Sequence, residues 1–202
     1  VIITRDPKSA QQKYPRASSI LEWNIPATAL EPNDLEGLDG VIHMAGAPVA
    51  RRWTATYKRM IEESRVFYTR ALVEALVRAN QPPSVLISFS AIGYYGMHDD
   101  TRLNETSLPG TDFLAGVCQR WEGEANKASP FGIRVVNLRV GIVIGQGGGA
   151  LTQMLLPFKL GVGGKIGDGQ QWMSWVHVSD VVGLTLEALT NTALDGPLNA
   201  TA

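Results

Sequence analysis

Hydroxyl side chains and two adjacent tyrosines follow an apolar run near the middle of the chain. Ser88 and Ser90 flank Phe89, and Tyr94-Tyr95 come shortly afterwards with a glycine on either side. A hydroxyl at the end of a strand can polarise a substrate carbonyl or contact a nicotinamide ring. The same residues also fit a turn with buried tyrosines, and composition alone favours that structural interpretation.

Two other segments end apolar runs in a way that suits a phosphorylated ligand. Arg5 follows Thr4 directly after a β-branched run, and its planar guanidinium could bind a 2′-phosphate. The segment 43–47 closes a second run with small residues, which let a ligand approach the backbone closely. An arginine at such a position is also commonly a solvated loop residue. His43 could be a general base, but a histidine within a strand is more often a buried core residue.

The glycine-rich segments 145–149 and 161–169 do not have the spacing of an ATP-binding loop. Lys165 is followed by isoleucine rather than by serine or threonine, so an ATPase of that type is excluded. The histidines and Cys118 show no paired spacing for zinc, and no metal site is predicted. Segment 173–180 instead predicts part of a pocket wall that leads into a helix.

These segments are separated by alternating strand-like and helix-like stretches. Apolar or β-branched runs predict strands at Val1–Thr4, Ser18–Trp23, Gly40–Ala45, Val85–Phe89, Ile133–Val140, Ile142–Ile144 and Trp175–Val178. Amphipathic spacing predicts helices at Ala55–Ala79 and Phe113–Ala128, a helix through Met154–Phe158, and a last one at Asp180–Leu189. This alternation predicts an α/β fold, a Rossmann-like doubly wound parallel sheet with helices on both faces. We expect residues 1–202 to form a single domain, in which 145–178 supplies part of a substrate pocket wall.

The composition limits the class of protein. Of 202 residues, 45% are hydrophobic and 18% charged, so a core can form, and a net charge of −1 gives no general attraction to nucleic acid. The single cysteine excludes an intrachain disulfide and fits a reducing compartment. No apolar run approaches the roughly 20 residues that span a bilayer, and the first residues lack the pattern of a signal peptide. We expect a soluble cytoplasmic protein that binds neither nucleic acid nor membrane.

Seven motifs, spread over essentially the whole chain, occur in a specific order although no single one is diagnostic. They are Thr4–Pro7, Val41–Ala47, Ser64-Arg65, Ser88–Gly96, Leu138–Gly145, Gly147–Leu151 and Gln170–His177. The series resembles the extended short-chain dehydrogenases/reductases of the NAD(P)-dependent epimerase/dehydratase group. More narrowly, it is similar to the "epimerase family" branch found in bacteria and in animals.

The resemblance bears on both ends of the chain. Members of the family begin with a strand and a GxxGxxG turn, which holds the cofactor pyrophosphate at a helix N-terminus. They also continue into a small, mostly helical substrate region. The first unit would precede Val1 and the second would follow Ala202, so we expect the domain to be incomplete at both ends.

The resemblance also raises a question about catalysis. Typical relatives use a Tyr-x-x-x-Lys pair, in which the lysine lowers the pKa of the tyrosine. With Glu122 aligned to the acidic residue of that helix, Leu114 occupies the tyrosine position and Cys118 the lysine position. The usual Ser/Thr position falls on Ser90 if the turn carries one extra residue, and on Ala91 if it does not.

We predict Ser90 and Tyr94 as the catalytic groups that contact a substrate oxygen. The residues predicted to bind the cofactor are Thr4, Arg5, Ala45, Gly46, Ser88, Arg139 and Gly141. The residues predicted to line the substrate pocket are Tyr95, Trp172, Trp175 and His177. The predicted cofactor is NADP, with NADPH preferred over NADH, because Arg5 and not an acidic residue follows the strand directly. Asp6 lies one residue beyond it.

Three functions fit these features. The leading interpretation is an NADP(H)-binding oxidoreductase or sugar-nucleotide-epimerase-like protein that acts on an unidentified small molecule, with a homodimer left open. The alternative is a non-catalytic NADP(H)-binding redox sensor or regulatory protein on the same fold. The missing Tyr-x-x-x-Lys pair favours the alternative, whereas the pocket-like motifs favour an enzyme. A Rossmann-like fragment that binds nothing is the third interpretation.

Overall fold

The computed structural model describes residues 1–25, 29–146, 149–165 and 167–202. Strands and helices alternate along the chain, as the apolar pattern predicts. The strands are β1 (Ile2–Thr4), β2 (Ile20–Glu22), β3 (Gly40–His43), β4 (Val85–Ala91), β5 (Arg134–Val140), β6 (Ile142–Ile144), β7 (Trp175–His177) and β8 (Gly196–Ala200). The α-helices are α1 (Pro7–Lys13), α2 (Ala55–Leu76), α3 (Phe113–Asn126), α4 (Gly149–Lys159) and α5 (Val178–Thr190), and short 3₁₀ helices cover Pro32–Leu35, Ile92–Tyr94 and Ser129–Phe131.

All strand pairings within the described residues are parallel. Strands β3, β4, β5 and β8 form one sheet in that order, β1 pairs with β2, and β6 pairs with β7. Parallel neighbours need a long crossover, which α2 supplies between β3 and β4 and α3 between β4 and β5. The prediction of a parallel α/β sheet is therefore confirmed.

The central strands are buried on both faces. Leu86 of β4 packs in one apolar cluster with Leu72 and Leu76 of α2. The next residue, Ile87, packs in a second cluster with Val181 of α5. Because successive side chains of a strand point to opposite faces, helices cover both sides of the sheet, which is the doubly wound arrangement expected from the sequence.

Capping side chains fix where the two long helices begin. The hydroxyl of Thr54 accepts a hydrogen bond from the Tyr57 N–H at 3.1 Å at the start of α2. The carboxylate of Asp112 accepts from the Ala115 N–H at 3.0 Å at the start of α3. Both satisfy backbone donors that a helix terminus leaves free, and the starts agree with the predicted ones.

Two elements differ from the prediction. The sequence pattern predicts no helix directly after the first strand, but Asp6 caps α1 there, and Pro7 suits the first position of a helix. The predicted strands do not include Gly196-Pro197, a pair more typical of turns, whereas both residues belong to β8. Strand β8 lies at the edge of its sheet, where a proline is tolerated because no further strand needs its missing N–H.

The glycine-rich parts of the chain are described only in part. Gly147 and Gly148, which belong to a predicted motif, lie outside the described residues, and Gly149 begins α4. Segment 161–170 contains no helix or strand in its described residues, as expected; Ile166 is not among them. No helix in the described ranges combines the length and apolarity needed to cross a membrane.

Candidate functional site

A cavity of about 760 Å³ lies between β1 and β3. Thr4 and Arg5 line it at the carboxyl end of β1, and Ala45 and Gly46 line it just after β3. Its volume is typical of a small-molecule site. The structure thus brings together four residues that the sequence predicts as cofactor-binding, although one pair lies about forty residues before the other in the sequence.

Arg5 offers an uncommitted cation at this cavity. Its side chain is exposed and forms no ion pair with the described residues. The nearest acidic residue in sequence, Asp6, is used elsewhere, because its carboxylate accepts a hydrogen bond from the Ser9 N–H at 3.0 Å. The Asp6 N–H in turn donates to the Thr4 hydroxyl at 3.2 Å. The guanidinium is therefore free to meet an anion.

The other predicted cofactor residues lie inside the sheet. Ser88 is 1% exposed, and its buried hydroxyl has no hydrogen-bond partner among the described residues. A Cβ on Gly141 would lie 2.9 Å from the Ser174 carbonyl oxygen, so glycine is needed there for close backbone packing. Neither Ser88, Gly141 nor Arg139 is among the described residues that line the cavity, and their part in cofactor binding stays a prediction.

A buried polar group, here called the Arg139 cluster, joins Ser90, Tyr95, Glu122, Arg139 and Asn199. Arg139 donates from Nε to Glu122 Oε1 at 2.9 Å and from Nη2 to Oε2 at 2.8 Å. It also donates from Nη1 to the Tyr95 hydroxyl at 3.0 Å. Tyr95 donates to Asn199 Oδ1 at 2.7 Å, and Ser90 donates to Glu122 Oε1 at 2.6 Å. A bidentate pair of this kind fixes both partners in place.

The electrostatics of the cluster follow from its burial. Arg139 is 3% exposed and Glu122 is 6% exposed. Burial alone disfavours the charged guanidinium, but the hydrogen bonds with Glu122 and Tyr95 outweigh it, and the pKa of Arg139 lies above its ordinary value. Arg139 is therefore charged at neutral pH, and its hydrogen bonds are made within the cluster.

The two predicted catalytic groups have different surroundings. Ser90 is buried and its hydroxyl is committed to Glu122. The half-buried Tyr94 ring lies against the Arg139 guanidinium, with 3.4 Å from its carbon to the ring centroid. The Tyr94 hydroxyl donates no hydrogen bond to the described residues, so it is the freer of the two hydroxyls.

The positions aligned with the usual tyrosine and lysine face the turn that carries Tyr94. A Cβ on Gly93 would lie 3.6 Å from Leu114 Cβ and 4.0 Å from Cys118 Sγ. Burial, together with the nearby charge of Glu122, raises the pKa of the Cys118 thiol to about 11. Neither side chain carries a charge at neutral pH, so neither can act as the usual base or activator.

The residues predicted to line a substrate pocket are dispersed. Trp172 is 76% exposed and donates to Asp100 Oδ1 at 2.6 Å, whereas Tyr95 belongs to the Arg139 cluster. His177 caps α5, its Nδ1 accepting from the Ser179 N–H at 3.3 Å. Trp175 is 40% exposed on β7. None of these four lies among the described cavity-lining residues, and their pocket role stays a prediction.

His43 is a core residue, as its position in a strand favours. It is 4% exposed, and its Nε2 lies 2.9 Å from the Thr69 hydroxyl. The Thr69 hydroxyl donates a hydrogen bond to the Arg65 carbonyl at 2.6 Å. The hydrogen bond between His43 and Thr69 is therefore donated by the His43 Nε2–H and accepted by the Thr69 oxygen. Burial lowers the pKa of His43 to about 4, which keeps the ring neutral.

Sequence reasoning missed several residues that shape the site. Ser64 and Arg65 were part of a motif but received no role, although they contact the segment after β3. Glu105 was not considered, yet its carboxylate accepts from the Asn199 N–H at 2.8 Å. Its sequence context is an ordinary polar loop and carries no signal. Within the described residues, no group of three His, Cys, Asp or Glu side chains is placed to hold a metal ion.

Comparison with known proteins gives a consistent result. A sequence model described as the NAD dependent epimerase/dehydratase family matches residues 1–199. The epimerase family protein SDR39U1 homolog, chloroplastic, of Arabidopsis thaliana is 39% identical over 203 residues, which cover 100% of this chain and 58% of that protein. The chain therefore spans little more than half of this relative.

Solved structures agree with the sequence match. The crystal structure of the human epimerase family protein SDR39U1 (isoform 2) with NADPH superposes with a TM-score of 0.84 and 31% identity, over 99% of this chain and 64% of that chain. The nucleoside-diphosphate sugar epimerase from Corynebacterium glutamicum gives a TM-score of 0.77 and 31% identity, over 100% of this chain and 46% of that chain. The family match, the relatives and the fold all agree that this chain belongs to the NAD dependent epimerase/dehydratase family.

Proposed function

We propose that this protein binds NADP(H) in the cavity between β1 and β3 and acts as an oxidoreductase or epimerase on a small molecule. The observation that carries the proposal is Arg5, an exposed cation without an ion-pair partner among the described residues, which lines the same cavity as Ala45 and Gly46. A guanidinium suits the cofactor 2′-phosphate, and small residues admit the adenosine side. The human relative solved with NADPH supports this cofactor.

A sugar nucleotide is the substrate class that we favour. The relative from C. glutamicum is named a nucleoside-diphosphate sugar epimerase. A bound nicotinamide would supply or accept a hydride. In this proposal Tyr94 donates a proton to the substrate oxygen, because its hydroxyl donates no hydrogen bond to the described part of the chain. Ser90, at the end of β4, is proposed to contact the same substrate oxygen.

The cofactor assignment is tested by comparing NADPH and NADH. We expect Arg5→Ala to raise the Kd for NADPH about tenfold to a hundredfold, the range for a lost charged hydrogen bond, and to change the Kd for NADH less than twofold. Both are measured by quenching of tryptophan fluorescence. Arg16→Ala is the matched control, since Arg16 is exposed but does not line the cavity. Equal weakening of both cofactors by Arg5→Ala would show that Arg5 does not read the 2′-phosphate.

The alternative function is a non-catalytic NADP(H)-binding sensor or regulatory protein. It is favoured by Leu114 and Cys118, which occupy the usual tyrosine and lysine positions and are uncharged at neutral pH. NADPH consumption across a panel of carbonyl compounds, together with conversion of sugar nucleotides, separates the two functions. If a substrate turns over, we expect Tyr94→Phe to lower kcat/KM by 10²-fold or more, with the exposed Tyr14→Phe as control. Binding without turnover would support the sensor.

Location and assembly complete the proposal. We expect a cytoplasmic protein, although the Arabidopsis relative is named as chloroplastic. A homodimer is compatible with this proposal. Residues 145–178 are proposed to serve the substrate rather than the cofactor, since none of their described members lines the cavity between β1 and β3.

A further inference from the structure

The segment that follows β3 is in direct contact with a side chain of α2. A Cβ on Gly46 would lie 3.0 Å from the Arg65 guanidinium carbon, and 3.1 and 3.2 Å from its two Nη atoms. These distances are tighter than ordinary van der Waals contact, so an alanine would displace the guanidinium. Gly46 does not have a positive φ. Its lack of a side chain is therefore explained by Arg65 and not by backbone conformation.

Both backbone polar groups of the next residue, Ala47, are held by the same turn of α2. The Ala47 N–H donates to the Ser64 hydroxyl at 2.8 Å. The Ala47 carbonyl accepts from Arg65 Nη1 at 3.0 Å. The Ser64 hydroxyl in turn donates a hydrogen bond to the Ile61 carbonyl at 3.1 Å. A loop residue held at both its donor and its acceptor has little freedom to rotate.

Arg65 is itself fixed in a way that an ordinary surface arginine is not. Its guanidinium lies 5.2 Å from the centroid of the Trp121 ring on α3, and Nη1 also donates to the Ile61 carbonyl at 3.2 Å. It forms no ion pair with the described residues. Burial lowers the pKa of Arg65, although the group stays a cation. A half-buried cation without a counter-ion costs stability, so packing alone is a poor reason for an arginine here.

We propose that Ser64 and Arg65 are positioning residues for cofactor binding: they fix residues 45–47 in the conformation that meets the ligand, and residue 46 is glycine so that the guanidinium can reach Ala47. This inference rests on the proposed function. A segment fixed before binding loses less entropy when the ligand arrives. Arg65 does not line the cavity, whereas the neighbouring Ser64 does. The contribution of Arg65 to cofactor affinity is therefore expected to act through residues 45–47.

Cofactor affinity is the first readout. We expect Arg65→Met to raise the Kd for NADPH about tenfold and Arg65→Lys to restore part of the loss, since lysine can still donate one hydrogen bond to Ala47. Arg59→Met is the matched control, because Arg59 is an exposed arginine of the same helix. Full affinity in Arg65→Met would overturn the inference, and so would a Lys variant no better than Met.

Hydrogen exchange gives a readout that needs no cofactor. In Ser64→Ala and in Arg65→Met we expect amide exchange of residues 44–49 to rise at least fivefold, while peptides of β4 keep the wild-type rate. A parallel rise in β4 would indicate general destabilisation and contradict a local role. Unchanged exchange in 44–49 would show that α2 does not fix this segment.

A double-mutant cycle tests the contact between residues 46 and 65. We expect Gly46→Ala to raise the Kd for NADPH in the wild-type background. In the Arg65→Ala background the same substitution should raise the Kd less than twofold, because the guanidinium that the new methyl group would clash with is then absent. Additive losses would overturn the steric link. If the wild type binds no NADPH at all, the proposed function fails and the inference fails with it. If the wild type binds and the variants match it, only the positioning role fails.

Discussion

At the scale of single residues, the molecule separates groups that look alike in the sequence. His43 and Arg5 each end or follow an apolar strand and both line the cavity, but His43 is buried with its ring bonded to Thr69, whereas the Arg5 side chain is exposed. Ser90 and Tyr94 both carry hydroxyls near the end of β4, yet only the Ser90 hydroxyl is committed to Glu122. Burial and hydrogen-bond partners, rather than residue type, decide which groups remain available for chemistry.

The buried imidazole of His43 makes stability depend on pH. Its pKa is lowered from 6.5 to about 4, so between these values the unfolded chain binds more protons than the folded one. Stability is therefore fully present above pH 6.5 and is lost as the pH falls towards 4, by about 3 kcal/mol from this residue. We expect urea unfolding to show this loss in the wild type and not in His43→Gln, which can still donate to Thr69. A wild-type pH slope in the variant would rule out this assignment.

At the scale of elements, the pair Glu122–Arg139 joins α3 to β5 in the interior. Removing one partner leaves a buried charge, so we expect Arg139→Met to lower the free energy of unfolding by about 3–5 kcal/mol. The double variant Arg139→Met/Glu122→Leu should lose less than the sum of the single changes. Arg70→Met is the control, because Arg70 is 46% exposed and its loss should cost much less than that of the buried Arg139. Urea denaturation of Arg139→Met, Glu122→Leu, the double variant and Arg70→Met measures these losses, and similar losses for the two arginine variants would contradict the buried-pair account.

The junction of β5 and β6 gives a second prediction at this scale. Gly141 lies where a Cβ would be 2.9 Å from the Ser174 carbonyl, so Gly141→Ala should destabilise by about 1–3 kcal/mol. Gly123 in α3 has nothing within 4 Å of its Cβ position. Gly123→Ala should therefore stabilise by about 0.5–1 kcal/mol through helix propensity alone. Thermal unfolding of both variants decides this, and equal shifts in Tm would refute the steric argument.

For the whole molecule, the sequence predicts what is encoded locally. The apolar runs of β4 and β5 and the amphipathic pattern of α2 are enough to predict a parallel sheet covered on both faces. Helix α1 was missed because its seven residues carry too short a pattern to stand out, and β8 was missed because a Gly-Pro pair is more typical of a turn.

The Arg139 cluster could not be predicted for a different reason. Tyr95 and Asn199 are 104 residues apart, and Glu105 and Asn199 are 94 apart, so no local pattern links them. The cavity residues are easier to predict, because ligands of parallel α/β folds bind at the carboxyl ends of the strands, and these residues follow β1 and β3. Thr4, Arg5, Ala45 and Gly46 could thus be proposed together from sequence, whereas Ser64 and Arg65 required the contacts of α2.

The place of Asn199 has a consequence for how the protein is made. Asn199 Oδ1 accepts a hydrogen bond from the Tyr95 hydroxyl, and the Asn199 N–H donates one to the Glu105 carboxylate. Asn199 also lies opposite Arg139 in the pairing of β5 with β8. Synthesis runs from the N-terminus, so Glu122 and Arg139 are both incorporated about sixty residues or more before Asn199 is added. A nascent chain up to β7 can pair these two charges but cannot close the cluster. The interior at the end of β5 is therefore completed only after β8 has been added.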